Sequence, residues 1–299
     1  MRMIITGATG YIGGRLLRSA LAQGWIACAV VQAGDPAPLH GGAIRIEDPG
    51  RAADLADELM GFRPDMVMHL AAAQTLSDDP TVSDLLVEAN LAFGARVLAA
   101  SRAAGARGLV AAGTYSAHAG GTGDYFPQTL YAATKHAFLD LSEHYRRNTT
   151  LQTVMLELSD TYGPGDARPK FLNLVAAAAQ SGEPLGASPG DQVVRPLHVD
   201  DIIDAFLHTA MLLLDGADLD SVYSVAGPES VTLRQLVEKF ELATNSSVPI
   251  RWGMRPHRPR EIMQPWCGRP LPAWSPRIGL IDGLRDVYGH PAIEGGTEA

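Results

Sequence analysis

The chain has 299 residues, 46% of them hydrophobic and 19% charged, enough for one large α/β domain with a smaller lobe or for two modest domains. A formal charge of −9 argues against non-specific nucleic-acid binding and against attachment to anionic membrane, since both need a net basic surface. Two cysteines, Cys28 and Cys267, make no disulfide framework and support no metal site.

Short apolar runs alternate with longer helical patterns through the first half. Residues 3–6 read as a strand, and a glycine turn follows at once, leaving no room for a secretory leader before it. A helix is expected over 11–23, strands over 25–31 and 43–46, a helix over 52–60 and a strand over 66–70. Helix 82–104, strand 108–112, helix 130–147 and strand 153–158 continue the series. This alternation predicts right-handed crossovers, and the near-continuous apolarity of the strands predicts a sheet covered on both faces. The fold class expected is therefore α/β, a Rossmann-type doubly wound parallel sheet with a small C-terminal α/β lobe.

After Tyr162 the texture changes. Gly163-Pro164-Gly165, Pro169, Pro184, Ser188-Pro189-Gly190 and Pro196 cut the chain into short pieces. A helix over 199–214 and a strand over 221–225 follow, and Thr232 reads as the N-cap of a helix over 233–243. Residues 248–276 read as loops docked on a surface, and a flexible tail is expected over 289–299. The expected division is 1–162 for dinucleotide binding, with 195–226 returning to it, and 163–194 with 227–288 as the substrate lobe. No apolar run approaches the roughly eighteen residues that span a bilayer, so a cytoplasmic protein is expected.

Two motifs carry chemistry. In Thr6-Gly7-Ala8-Thr9-Gly10-Tyr11-Ile12-Gly13, Gly7 permits a tight turn, Gly10 lets a pyrophosphate approach the backbone, and Gly13 lets the helix pack closely. The helix N-terminus beyond it offers unpaired N–H groups and positive potential to an anion. In Tyr131-Ala132-Ala133-Thr134-Lys135, four residues bring a phenol and an ammonium to one helix face, and the ammonium is expected to favour phenolate. At the end of the second strand no acid occurs until Asp35. Gln32 cannot repel a 2′-phosphate and Arg15 is close in sequence, so NADP is expected over NAD; the alternative is that Asp35 turns back and serves NAD. Arg251, Arg255, Arg258 and Arg260 fall within ten residues in an acidic chain, and Arg168, Lys170 and Arg195 mark other loops of the lobe. Guanidinium forks suit diphosphate oxygens, with Arg195 and one of Arg255, Arg258 or Arg260 favoured. His198 reads as structural.

The glycine spacing together with Tyr131 and Lys135 resembles the extended short-chain dehydrogenase/reductase family, the NAD-dependent epimerases and dehydratases. The resemblance implies that Gly7, Thr9, Gly10, Tyr11 and Ile12 hold the cofactor, with Gln32 beside it. It further implies that Glu47 or Asp48 touches adenine and that the backbone of Leu70, Ala71 and Ala72 lines the site. Tyr131 would trade its proton with the substrate oxygen, Lys135 would bond the nicotinamide ribose, and Thr114, with Ser116 in reserve, would hold the oxygen. Asn90 matches a family asparagine and equally suits a buried structural amide. Ala112-Gly113 and His118-Ala119 depart from the family's Ser-Ser and Tyr-Gly. Tyr115 and Ser116 stand where the dehydratases carry an Asp-Glu pair, so dehydration is not expected.

The stretch from Ser159 to Asp201 resembles the CDP-abequose and CDP-paratose synthases within that family, with Asp160, Arg168 and Lys170 facing the substrate. That resemblance implies an NAD(P)H-dependent reductase of the 4-keto group of a nucleotide-linked deoxysugar. The alternatives are a nucleotide-sugar 4-epimerase with tightly bound NAD and a non-catalytic dinucleotide-binding regulator. By resemblance, helices 82–104 and 130–147 pair between subunits of a homodimer.

Overall fold

The computed structural model describes residues 1–77 and 79–289. The tail expected over 289–299 thus lies, beyond Gly289, outside the described residues. The chain opens with β1 (Arg2–Thr6), α1 (Tyr11–Ala22), β2 (Ile26–Val31), β3 (Ile44–Glu47), α2 (Ala52–Phe62) and β4 (Met66–His69). The expected helix 82–104 is not uniform: a 3-10 turn precedes α3 (Ser83–Val87), a π-helical turn spans Glu88–Ala92, and α4 (Phe93–Ala103) follows. Then come β5 (Gly108–Thr114), α5 (Leu130–Asn148) and β6 (Gln152–Leu158).

The second half is cut finely, as its prolines and glycines require. It holds β7 (Thr161–Tyr162), α6 (Phe171–Ser181), β8 (Leu185–Gly186), β9 (Val193–Val194), β10 (Leu197–His198) and α7 (Val199–Leu214). It closes with β11 (Val222–Val225), β12 (Val231–Thr232), α8 (Leu233–Thr244), β13 (Ile250–Arg251) and α9 (Leu280–Tyr288). Within the stretch expected as loop, Ile250 pairs with Leu185 in a two-residue parallel ladder. Thr232 caps α8 in a reciprocal capping box with Gln235.

Seven strands form one parallel sheet in the order β11-β6-β5-β4-β1-β2-β3. Successive residues of a strand face opposite sides. Met3 and Ile5 accordingly pack with Leu16, Leu17 and Phe206 of α1 and α7, while Ile4 packs with Leu55, Leu59, Leu98 and Phe138 of α2, α4 and α5. Both faces are dry, which is why the strands read as unbroken apolar runs. A third core, with Tyr162, Val175, Leu236, Phe240 and Leu284, unites α6, α8 and α9. The strand order reverses between β1 and β4, and the loops at the carboxyl ends of those strands are where an open α/β sheet places its ligand.

Candidate active site

The glycine turn is dictated by contact. Gly7 has φ +71, and a Cβ there would lie 2.7 Å from the Ala71 nitrogen, so the turn rests on the backbone beyond β4. A Cβ on Gly13 would lie 2.0 Å from the Gly7 carbonyl oxygen, so that position is closed to any side chain. Gly10 caps α1 with no side-chain bond and no acid stands in the first helical turn, which leaves the positive end of the helix toward solvent. Thr9 and Gly10 are exposed; Tyr11 and Ile12 are half-buried. Two guanidinium groups lie over the Tyr11 ring, Arg15 at 5.3 Å and Arg168 at 4.9 Å from its centroid.

Beneath the turn, the buried Thr6 hydroxyl accepts from the Ala71 N–H and meets His69 Nδ1 at 2.9 Å. Burial first, and the Lys135 ammonium second, lower the His69 pKa to about 3, so the ring is a neutral platform, tilted by 33° against Phe138 at 4.8 Å between centroids. Asn90 supplies the other brace. Its side chain accepts from the Ala73 N–H and donates to the Ala73 carbonyl and the Thr134 hydroxyl, tying the segment of Leu70, Ala71 and Ala72 to α5. The structural-amide reading of Asn90 accounts for every polar atom of its side chain.

Tyr131 and Lys135 sit in the first two turns of α5, whose start is fixed by the Thr129 hydroxyl accepting from the Ala132 N–H. Lys135 lies on the helix's buried face, 1% exposed, and its Nζ has no hydrogen-bond partner among the described residues. Burial lowers its pKa to about 8. The expected lowering of the phenol by Lys135 is corrected: burial lifts Tyr131 to about 12, and the cation that opposes this is Arg168, from the lobe. Desolvation costs the phenolate more than the Arg168 charge returns to it. Thr114, at the end of β5, shares a 2.8 Å hydrogen bond with the Ser116 hydroxyl, so the two candidate oxygen-holders act as one pair.

Sequence reasoning missed the next pair. The Tyr115 hydroxyl donates to Asp160, 3.2 Å from each carboxylate oxygen, and burial raises the pKa of both groups. The turn after β6 thereby brings a carboxylate beside the 114–116 turn, which no local pattern could announce. Lys170 donates to the Thr161 carbonyl at 2.9 Å, and burial lowers its pKa to about 8. Arg168 makes a bidentate pair with the buried Asp166 carboxylate, at 2.6 Å on both bonds.

The other predicted residues are placed less uniformly. Arg195 donates to the Gly227 carbonyl, with its Nε buried and unpartnered. Arg255 and Arg258 are exposed on the lobe's long loop. Asp48 is ion-paired with Arg96 at 2.8 Å, and Glu47 accepts from the Gly34 N–H at 3.2 Å. Gln32 is exposed. The His198 ring is buried edge-on against Tyr162, and the Asp200 N–H donates to its Nδ1. Among the described residues no cluster of His, Cys, Asp and Glu could hold a metal ion, and no helix is long and apolar enough to cross a membrane.

A glycine turn at the carboxyl edge of a parallel sheet, together with a Tyr-x-x-x-Lys helix whose lysine is buried, defines an NAD(P)-dependent short-chain oxidoreductase. Residues 3–226 match the NAD dependent epimerase/dehydratase family, and the chain belongs to it. It is 25% identical over 271 residues to a CDP-abequose synthase of Yersinia pseudotuberculosis, spanning 89% of this chain and 92% of that one. It is 32% identical over 219 residues to a 3-diazoavenalumate denitrifying reductase of a Streptomyces species, spanning 69% and 70%. Among solved structures it shares its fold with a UDP-glucose 4-epimerase of Thermus thermophilus in complex with NAD, with a TM-score of 0.79, 24% identity and coverage of 95% and 97%. The UDP-glucuronic acid 4-epimerase of Bacillus cereus, in complex with UDP-glucuronic acid and NAD, matches with a TM-score of 0.81, 21% identity and coverage of 96% and 98%.

The expectation of NADP is overturned. Those two solved complexes hold NAD. In this chain Gly34, at φ +74, turns the backbone so that the Asp35 carboxylate accepts from the Thr9 hydroxyl at 3.1 Å. Arg45 donates to the Asp35 carbonyl and so braces the turn from β3. A carboxylate at the glycine turn repels a 2′-phosphate and suits free ribose hydroxyls.

Proposed function

We propose that the chain is an NAD-dependent oxidoreductase acting on a secondary alcohol of a nucleotide-linked sugar, and that it works as a 4-epimerase. The observation that carries this reading is Lys135, a buried ammonium without a hydrogen-bond partner among the described residues, one helical turn from Tyr131, in a chain whose glycine turn is marked by Asp35. A buried cation lacking an acceptor fits a ribose that supplies hydroxyl oxygens. Gly7, Thr9, Gly10, Tyr11 and Ile12 would hold the pyrophosphate, Asp35 the adenosine ribose and Lys135 the nicotinamide ribose. When bound, NAD supplies the acceptor and later the donor of hydride.

The chain's own groups handle the proton. Burial holds Tyr131 as the phenol in the free protein, so it would have to release its own proton to solvent before its phenolate could take the proton of the alcohol. Arg168, whose charge already lowers the Tyr131 pKa, and Lys135, one helical turn away, are the cations that would stabilise that phenolate. Thr114 and Ser116 hold the reacting oxygen, and Tyr131 returns the proton when the carbonyl is reduced again. Arg168, Lys170 and Arg195 on the lobe supply positive charge for a diphosphate. The epimerase reading draws support from the solved relatives, whose names state that activity. Reduction of a 4-keto sugar is the second reading, supported by the likeness to CDP-abequose synthase over 89% of the chain.

Denaturing the purified protein and assaying the supernatant separates the two readings. Stoichiometric NAD, with interconversion of UDP- or CDP-sugars and no added cofactor, is the outcome expected of an epimerase. Protein that releases no NAD and oxidises NADH only with a 4-keto sugar would establish the reductase instead. We propose further that the chain is a homodimer. Leu85 and Val87 on α3 and Leu141 on α5 are exposed apolar side chains on the helices that pair between subunits by resemblance.

A further inference from the structure

His118 is one of the residues that depart from the family pattern, and its surroundings determine its charge. Its Nδ1 lies 3.0 Å from the Asp124 carbonyl oxygen, and its Nε2 lies 3.0 Å from Glu157 Oε1. A carbonyl and a carboxylate both accept, so each ring nitrogen must donate, and the ring that satisfies both is the imidazolium. The pair is shielded, with side chains 12% exposed for His118 and 5% for Glu157. The charged groups facing the ring are Glu157, from β6, and Asp124, from its own loop. From the lobe side comes the uncharged Trp266 indole, at 6.4 Å between centroids; Arg269 on the same segment is ion-paired with Asp220.

What the pair holds is a junction. Residues 119–129 lead from the 114–116 turn into the N-cap of α5, two residues before Tyr131. The loop's own ladder runs through Phe126 to Ala117 and Ala119, and through Gln128 to Ser116. Its glycines lie against the lobe segment 262–270. A Cβ on Gly121 would be 2.9 Å from the Gln264 carbonyl oxygen, and one on Gly123 would be 3.2 Å from the Trp266 ring. That segment is itself bonded to β9 and β11, Met263 accepting from Val193 and Arg269 from Ser224.

We infer that His118 and Glu157 are a positioning pair that fixes the loop 119–129, and with it the start of the catalytic helix, against the lobe, and that they do so only while His118 carries both ring protons. The bond to Glu157 is the main cause that raises His118 above the ordinary histidine pKa of about 6.5, with its burial working against the shift. The junction is therefore fully formed below the ordinary histidine pKa of about 6.5 and loosens as pH rises through the higher folded-state pKa. A neutral imidazole has one N–H and must abandon one of its two acceptors.

The substitution Glu157→Gln isolates the protonation from the packing. A glutamine amide donates to a neutral ring nitrogen while the other nitrogen still donates to Asp124, so this variant keeps the loop fixed without a charge. Nitrogen-15 histidine NMR, with His118 assigned by its loss in His118→Asn, should show both nitrogens still protonated at pH values where an ordinary histidine, with a pKa of about 6.5, has begun to lose its proton. In Glu157→Gln the titration should fall by about one pH unit or more, as loss of an ion-pair partner requires. Amide exchange at Ala119, Phe126 and Gln128, corrected for intrinsic rate, should quicken about tenfold in the wild type as His118 deprotonates, since one charge-assisted bond is lost. In Glu157→Gln it should stay level across the same range. A His118 that titrates at the ordinary value in both proteins, or exchange profiles identical in both, would overturn the inference. Its catalytic arm rests on the proposed function: as His118 deprotonates, KM for the sugar nucleotide should rise and kcat should fall in the wild type, and neither change should appear over that range in Glu157→Gln. Parallel KM profiles in the two proteins would also overturn it. If the chain converts no nucleotide sugar, that reading fails on its own, and the NMR and exchange results still decide this one.

Discussion

Lys135 shows how a single buried side chain can report on its missing neighbours. Acceptor hydroxyls favour the charged ammonium and so raise its pKa from about 8. Between that value and the raised one, the complex binds more protons than the free protein does. NAD binding near pH 8 to 9 should therefore take up protons, and affinity should fall as pH climbs through about 8. Calorimetry in buffers of different ionisation enthalpy measures the uptake directly, and Lys135→Met should abolish it; unchanged uptake in that variant would remove Lys135 from the cofactor site. Tyr131→Phe removes the only proton carrier assigned to the substrate oxygen. Turnover should drop by about a hundredfold to ten-thousandfold, with NAD affinity nearly unchanged. The pairing of these two residues on one helix face was legible in the sequence as a spacing. The sign of the Tyr131 shift was not, because it depends on burial and on Arg168, a residue 37 positions away.

At the scale of elements, the strands and most helices were legible because burial on both faces leaves a simple apolar record. The break in the helix that follows β4 was not. A π-helical turn carries no composition of its own; here it rotates the buried Asn90 toward Ala73 and Thr134. Asn90→Ala would leave the half-buried Ala73 N–H and C=O without that partner, a loss of about 1–3 kcal/mol on general grounds. Urea denaturation should show it, along with weaker NAD binding, because the Leu70–Ala73 backbone underlies the glycine turn. A variant of wild-type stability would show that water satisfies those groups and that Asn90 braces nothing. The turn that carries Asp35 was misjudged for a similar reason. One positive φ at Gly34 and the distant Arg45 decide where the carboxylate points, and neither is written next to it in the chain.

The whole molecule is held together by contacts between its two parts, and these are the least visible in sequence. The pattern His198-Val199-Asp200-Asp201 reads locally as the start of α7, yet the buried Asp201 carboxylate accepts from the Arg277 and Ile278 N–H groups at 3.0 and 3.1 Å. Asp204, one turn on, takes the Trp274 indole N–H at 2.9 Å. A helix packed on the sheet thus fixes the strand of chain that delivers α9 to the lobe's core, and Gly283 of α9 lies so close to Tyr162 that a Cβ there would fall 2.2 Å from its hydroxyl. In Asp201→Asn the amide keeps one acceptor and presents two donors toward backbone N–H groups. The cost should be about 1–3 kcal/mol of stability, the range for a buried donor left without an acceptor. The Asp201 carboxylate bonds the 277–278 backbone and neither the glycine turn nor Asp35, so NAD affinity should hold. KM for the sugar nucleotide should rise, because Arg168 and Lys170 are carried by the lobe whose anchorage has been cut. Equal losses in cofactor and substrate binding would mean that the two parts fold as one cooperative body and that Asp201 serves it as a whole.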